Sequence, residues 1–196
     1  YIGKEFPVVA RYQMLADGQE IADTYFRGNE TELNQVAING VSIVPTVKVK
    51  ETTADSRTYA MHVEKDNINL DMDVKVSVKE NDLTWEVVKL EKAEGCAKIA
   101  TIDVPGLNLL TVDAVETGAN FAGAKTSTTT TASGDVFIDF KDGFEPSETD
   151  GYLYGFLTNE KLSAGLYSNS EIEGDKRVIR NNGADTMSLT SSAWYY

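Results

Sequence analysis

The run from Leu70 to Val87, LDMDVKVSVKENDLTWEV, decides the fold class. Leu70, Met72, Val74, Val76 and Val78 alternate with Asp71, Asp73, Lys75, Ser77 and Lys79. A period of two places one set on a buried face and the other in water, which is a half-buried strand. After the polar turn Glu80-Asn81-Asp82 the alternation resumes at Leu83, Trp85 and Val87, so the two segments read as an antiparallel hairpin. The phase changes over Val87, Val88 and Leu90, and this predicts a bulge or a strand buried on both faces.

The same period recurs outward in both directions. Val36-Ala37-Ile38 and Val41-Ser42-Ile43 flank Asn39-Gly40, the pair best suited to the positive φ angles of a type I′ turn. Pro45 limits pairing, so the strand through Val47 and Val49 is expected to start after it. Tyr59, Met61 and Val63 form another alternating run. Further candidate strands surround Ile99, Leu109, Val136 to Phe140, Leu153 to Leu157, Leu162 to Tyr167, Val178 to Ile179, and Met187 to Leu189. Short strands at intervals of roughly 8–12 residues, with turn signals between them, define an all-β sandwich or barrel. No window shows a helical stripe, no linker divides the chain and no repeat appears. The Thr-rich patch from Thr126 to Ser133 suits an exposed strand or loop.

Bulk properties narrow the function. The 196 residues are 41% apolar and 25% charged, enough for one sizeable globular domain. No apolar run approaches the ~20 residues of a membrane span, and the start lacks the basic-then-apolar order of a signal peptide. The net charge is −13, from 31 acidic and 18 basic side chains spread along the chain. Such a surface repels nucleic acid and anionic membranes, and neutral sugars remain compatible. Cys96 is the one cysteine, so no intrachain disulfide forms, and with no His in its neighbourhood it reads as structural.

Gly151 to Glu171, GYLYGFLTNEKLSAGLYSNSE, carries four aromatic residues, two Asn and three Gly. This segment resembles part of the β-sandwich that precedes the catalytic barrel in bacterial endo-α-N-acetylgalactosaminidases, glycoside hydrolase family 101. The likeness extends through Glu5-Phe6-Pro7, Tyr12-Gln13, Asn34-Gln35-Val36, and Ile38-Asn39-Gly40 to Pro45. It continues in Gly118-Ala119-Asn120-Phe121-Ala122-Gly123-Ala124, Ser133-Gly134-Asp135 and Lys176-Arg177-Val178-Ile179-Arg180. Tyr167 stands where Trp is expected.

The resemblance implies one galactose-mutarotase-like antiparallel supersandwich over residues 1–196, excised from a larger secreted or wall-attached bacterial protein. The (β/α)8 barrel is expected to follow and is absent here. A parent of this kind releases Galβ1-3GalNAc from Ser or Thr, while this chain alone is expected to be inactive and to support or dock on the barrel. The aromatic ending Trp194-Tyr195-Tyr196 either pairs within the sandwich or leads into a following element. The alternative reading is an independent carbohydrate-binding module.

Retaining glycosidases need two carboxyl groups about 5–5.5 Å apart. Asp71 and Asp73 share a strand face, as Glu171 and Glu173 could, but solvated strand faces carry such pairs routinely. The family's catalytic pair lies on the barrel and matches no position here. An aldose epimerase of mutarotase-like fold uses two histidines beside a Glu, whereas His62 stands alone, with a parity opposite Tyr59 and Met61. Asp139 to Glu145 lacks the ligand spacing of a calcium loop, and no cofactor motif is present. Asn29-Glu30-Thr31 is a formal glycosylation sequon.

Tyr152, Tyr154, Tyr167, Asn169, Arg177 and Trp194 have the residue types that contact sugars, since rings stack on pyranose faces and amides or guanidinium groups bond hydroxyls. The same residues suit core packing or an interdomain contact, and Tyr152 and Tyr154 share a parity. Arg177 and Arg180, beside Glu171 and Glu173, read as surface ion pairs. The expected partners are the chain's own barrel and O-glycans.

Overall fold

A computed structural model describes residues 4–7, 11–16, 19–25, 34–103, 107–113, 116–125, 134–142, 152–160, 163–167, 176–180, 186–191 and 194–195. It is all-β and antiparallel, and the helical element among the described residues is a 3-10 turn at Phe140–Asp142. The chain forms two compact units.

The first unit comprises Tyr1–Ala10, Gly28–Pro105 and Trp194–Tyr196. Its larger sheet is a four-stranded meander of β5 (Thr46–Thr52), β6 (Ser56–Lys65), β7 (Ile68–Lys79) and β8 (Asp82–Lys92), in that order. The period-two reading holds through Val76 and fails at Val78, which is exposed where the strand nears its turn. Tyr59, Met61 and Val63 of β6, and Ile68, Leu70, Met72, Val74 and Val76 of β7, are all buried. Burial pushes the Tyr59 phenol pKa upward, against the opposing charge and hydrogen bond of Arg57. The β7–β8 register slips between Asp73 and Val74, because Lys89 pairs Asp73 and Val87 pairs Val74. Val88 is therefore the extra residue of a bulge, and it turns outward.

A second sheet in this unit runs β17 (Trp194–Tyr195), β9 (Thr101–Asp103), β3 (Val36–Ile38) and β4 (Val41–Ile43). Its buried residues are Val36, Ile38, Ile43 and Ile102. Asn39 and Gly40 take φ of 51° and 80°, as a type I′ turn requires. Asn39 does more than turn the chain. Its Nδ2 donates to the Lys98 carbonyl at 2.8 Å, while its Oδ1 accepts from the Ala100 and Thr101 amides at 2.8 and 3.2 Å. Trp194 pairs Ile102 and Tyr195 pairs Thr101, so these two aromatic residues join this sheet. At the other end Phe6 is buried, and Trp85 Nε1 donates to the Pro7 carbonyl at 3.2 Å. Cys96 Sγ accepts the Asn69 amide at 3.3 Å, a structural role.

The second unit comprises Arg11–Arg27 and Gly106–Ala193. It holds the hairpin of β1 (Arg11–Ala16) and β2 (Gln19–Tyr25) and one seven-stranded sheet. That sheet is ordered β10 (Leu107–Asp113), β16 (Thr186–Ser191), β15 (Lys176–Arg180), β13 (Tyr152–Thr158), β11 (Asn120–Lys125) and β12 (Gly134–Asp139). The seventh strand, β14 (Ser163–Leu166), pairs with β13. Val112, Phe121, Tyr152 and Leu157 are buried on it. The Asp139–Glu145 segment starts as the end of β12 and the 3-10 turn, with Phe140 buried.

Candidate functional site

Two sheet faces carry the side chains from which a site could be built, one in each unit. The outer face of the β5–β8 meander is polar. His62 lies there, opposite Tyr59 and Met61 as its parity requires. Its Nδ1 contacts Asp71 Oδ1 at 2.8 Å across the β6–β7 pair, and its Nε2 lies 3.4 Å from Glu64 Oε2. The hydrogen bond to Asp71, and then the one to Glu64, raise the His62 pKa above its ordinary 6.5. Two strand positions along, Lys50 Nζ meets Asp73 Oδ2 at 2.6 Å, and the Asp73 side chain is only 12% exposed. A shallow depression is lined by Lys50, Glu51, Thr58, Asp73, Lys75 and Val88, the last of these placed there by the β8 bulge.

Asp71 and Asp73 thus share a face, but each already has a cationic or ionisable partner. His62 is fixed between carboxylates, in the manner of a surface cross-strand pair. Among the described residues no three His, Cys, Asp or Glu side chains are grouped to hold a metal ion. Glu171 and Glu173 lie outside the described residues.

The second face belongs to the β12–β11–β13–β14 part of the seven-stranded sheet, and it is aromatic. The shared parity of Tyr152 and Tyr154 does not survive folding. Lys125 pairs Tyr152 while Ala124 pairs Tyr154, which leaves Leu153 as the extra residue of a bulge. Tyr152 therefore turns inward, buried, with its ring 4.8 Å from that of Phe121 in an edge-on contact. Tyr154 turns outward and is 43% exposed.

On the outer side Phe137, Ala122, Phe156 and Gly165 form one row across four strands, since each pairs the next. Asp135, Ala124 and Tyr154 form the adjacent row. Phe137 is 72% exposed, Phe156 46% and Tyr167, just beyond β14 with the parity of Gly165, 75%. Tyr154 and Phe156 stand edge to face with centroids 6.0 Å apart. Below these rows Thr158 and Ser163 share a 2.8 Å hydroxyl hydrogen bond.

The fold thus brings Tyr154 and Tyr167 to one sheet face and removes Tyr152 to the interior. Arg177 is a β15 residue paired with Thr190, and Trp194 belongs to the other unit. Asn169 lies outside the described residues. Phe137 and Phe156 were not among the sequence's candidate residues, because what brings them to this face is their shared pairing with Ala122, which only the register shows.

A family model described as the galactose mutarotase-like fold domain matches residues 1–196. The chain belongs to that family. It is also similar to a Renibacterium salmoninarum protein named "Putative endo-alpha-N-acetylgalactosaminidase", at 24% identity over 216 residues. That match covers 100% of this chain but 14% of the relative, so this galactose mutarotase-like domain spans about one-seventh of the relative's length.

Proposed function

We propose that this chain is the non-catalytic sandwich of a larger secreted or wall-attached endo-α-N-acetylgalactosaminidase of glycoside hydrolase family 101. In this reading the parent releases Galβ1-3GalNAc from O-glycosylated Ser and Thr, and the chain supports its catalytic barrel. One observation carries the proposal. The chain aligns from end to end with a small fraction of a relative bearing that activity in its name. The engagement of Asp71 by His62 and of Asp73 by Lys50 is consistent with a supporting role, because a nucleophile and a general acid must be available to substrate.

The test compares the parent with and without residues 1–196, following thermal unfolding of the catalytic domain and disaccharide release from a Galβ1-3GalNAc-α-aryl glycoside. Removal is expected to lower the melting temperature of the barrel, and the isolated chain is expected to release nothing. Release by the chain alone would overturn the non-catalytic assignment. Unchanged stability and turnover after deletion would overturn the supporting role.

A further inference from the structure

We propose that Asn39 is a deamidation site that the fold holds shut, so that its conversion to aspartate or isoaspartate records an opening of the β3–β4 hairpin that refolding does not reverse. The chemistry starts from the dipeptide Asn39-Gly40. The Gly40 backbone nitrogen gives its proton to solvent base and attacks Asn39 Cγ. A C–N bond forms, the Cγ–Nδ2 bond breaks, and ammonia leaves with a proton returned from solvent. Water then adds to either carbonyl of the five-membered succinimide, giving aspartate at position 39 or a main chain routed through the side chain as isoaspartate. Both residues are exposed to that water. Nothing shields the Gly40 nitrogen, since even an added Cβ there would meet no atom within 4 Å.

Two effects of the fold oppose each other at Asn39. Its Oδ1 accepts from the Ala100 and Thr101 amides at 2.8 and 3.2 Å, which draws electrons from Cγ and favours a tetrahedral intermediate. Position works the other way. Ring closure needs Cβ nearly eclipsed with the following peptide nitrogen. At φ 51°, in the left-handed first position of a type I′ turn, Cβ stands nearly opposite that nitrogen. A misplacement of about 1 Å already costs on the order of a hundredfold in such reactions, and here the reacting atoms point apart, so position wins.

Rotating Asn39 into reach breaks the anchorage of the turn. The side chain would lose its bonds to the Lys98 carbonyl and the Ala100 and Thr101 amides, and the Asn39 amide its 3.0 Å bond to the Thr101 carbonyl. Ile38 pairs Ile102 beside them, so the turn opens together with the β3–β9 pairing and not alone.

The product does not fit the place it leaves. Aspartate has no N–H for the Lys98 carbonyl and sets oxygen against oxygen where the amide made a 2.8 Å bond. Isoaspartate inserts a methylene into a two-residue turn whose register pairs Ile38 with Val41 and Val36 with Ile43. A chain that has opened once and reacted is therefore marked, and it opens more readily again.

The experiment ages the full chain at mildly alkaline pH in native buffer and in urea, and reads conversion by peptide mass spectrometry. Asn182-Gly183, the other Asn-Gly pair of the sequence, lies outside the described residues and serves as the chemical clock in urea. In urea both sites should convert at similar rates. In native buffer Asn39 should convert at least about tenfold more slowly than in urea. The urea-aged chain, returned to native buffer, should unfold at a lower urea midpoint than fresh chain. Asn39→Gly, aged in the same way with Asn182 still present, should lose less of its own midpoint.

Equal conversion of Asn39 in the two buffers overturns the proposal. Faster conversion in native buffer does so as well, and would mean that the two amides activate Asn39 more than the turn restrains it. Conversion of Asn182 without Asn39 in urea would remove the site. An equal fall in midpoint for Asn39→Gly and the unsubstituted chain would overturn the lasting mark and place the damage elsewhere.

Discussion

Asn39, Gly123 and Glu80 show how much single positions carry. Asn39 holds a left-handed turn and ties it to residues 98–101 through both ends of its amide. Asn39→Gly keeps the turn geometry but loses all three bonds, and the expected cost is about 1–3 kcal/mol, read as a lower urea midpoint. Gly123 sits between Phe121 and the β13 backbone, where an added Cβ would lie 2.8 Å from Phe121 Cζ and 2.9 Å from the Tyr154 carbonyl oxygen. A ring can shift, but a paired backbone cannot. Gly123→Ala should therefore destabilise by about 1–3 kcal/mol in the same assay. Glu80, at φ 54°, has the opposite character. An L-residue other than Asn or Asp is strained there, so Glu80→Asn should stabilise by about 0.5–1 kcal/mol, seen as a raised midpoint.

Strand pairs decide what the residues face. Deleting the bulge residue would reverse the facing of every residue beyond it, since side chains alternate along a strand. The Leu153 bulge is what puts Tyr152 in the core and Tyr154 in water, and the Val88 bulge puts an apolar side chain beside Lys50 and Asp73. The β6–β7 pair also creates a titrating element at His62. Its pKa lies above 6.5 in the fold because Asp71, and secondarily Glu64, favour the imidazolium. That contribution to stability is fully present below about pH 6.5, the unfolded value, and is lost as pH rises through the folded value. The imidazole C–H shift should titrate above 6.5 in the folded chain, and Asp71→Asn should bring the midpoint back toward it. A midpoint unmoved by Asp71→Asn would show that the cross-strand contact does not form in solution.

At the scale of the whole molecule, charge is the dominant unbalanced quantity. The chain carries a net charge of −13. Its described ion pairs, Lys50–Asp73 and Lys89–Glu91 among them, lie on one sheet face and leave that excess intact. Self-repulsion of this size weakens a compact state at low salt. Raising NaCl from about 0.01 M to about 0.15 M shortens the screening length from ~30 to ~8 Å. The thermal midpoint should rise, and calorimetry at the two salt concentrations checks it. A midpoint that falls would mean that attractive pairs outweigh the excess charge.

The sequence by itself determined the all-β antiparallel class, the Asn39-Gly40 hairpin, the β7–β8 hairpin and the facing of His62, while the phase change at Val87 to Leu90 was resolved as a bulge only by the register. The class, the two hairpins and the facing follow from interactions between residues close along the chain, where a period of two and a turn-forming pair act directly. The resemblance carried by Gly151 to Glu171 and its companion segments pointed to the galactose mutarotase-like family. Only the tertiary structure decided which aromatic residues share a face. Tyr152 and Tyr154 look equivalent in the sequence until the β11–β13 register inserts Leu153 between them. Phe137 joins Phe156 through Ala122, across three strands, with the gap between β12 and β13 in sequence lying between them. Register is a property of paired strands that are remote in sequence, and a shift of one residue exchanges core for surface.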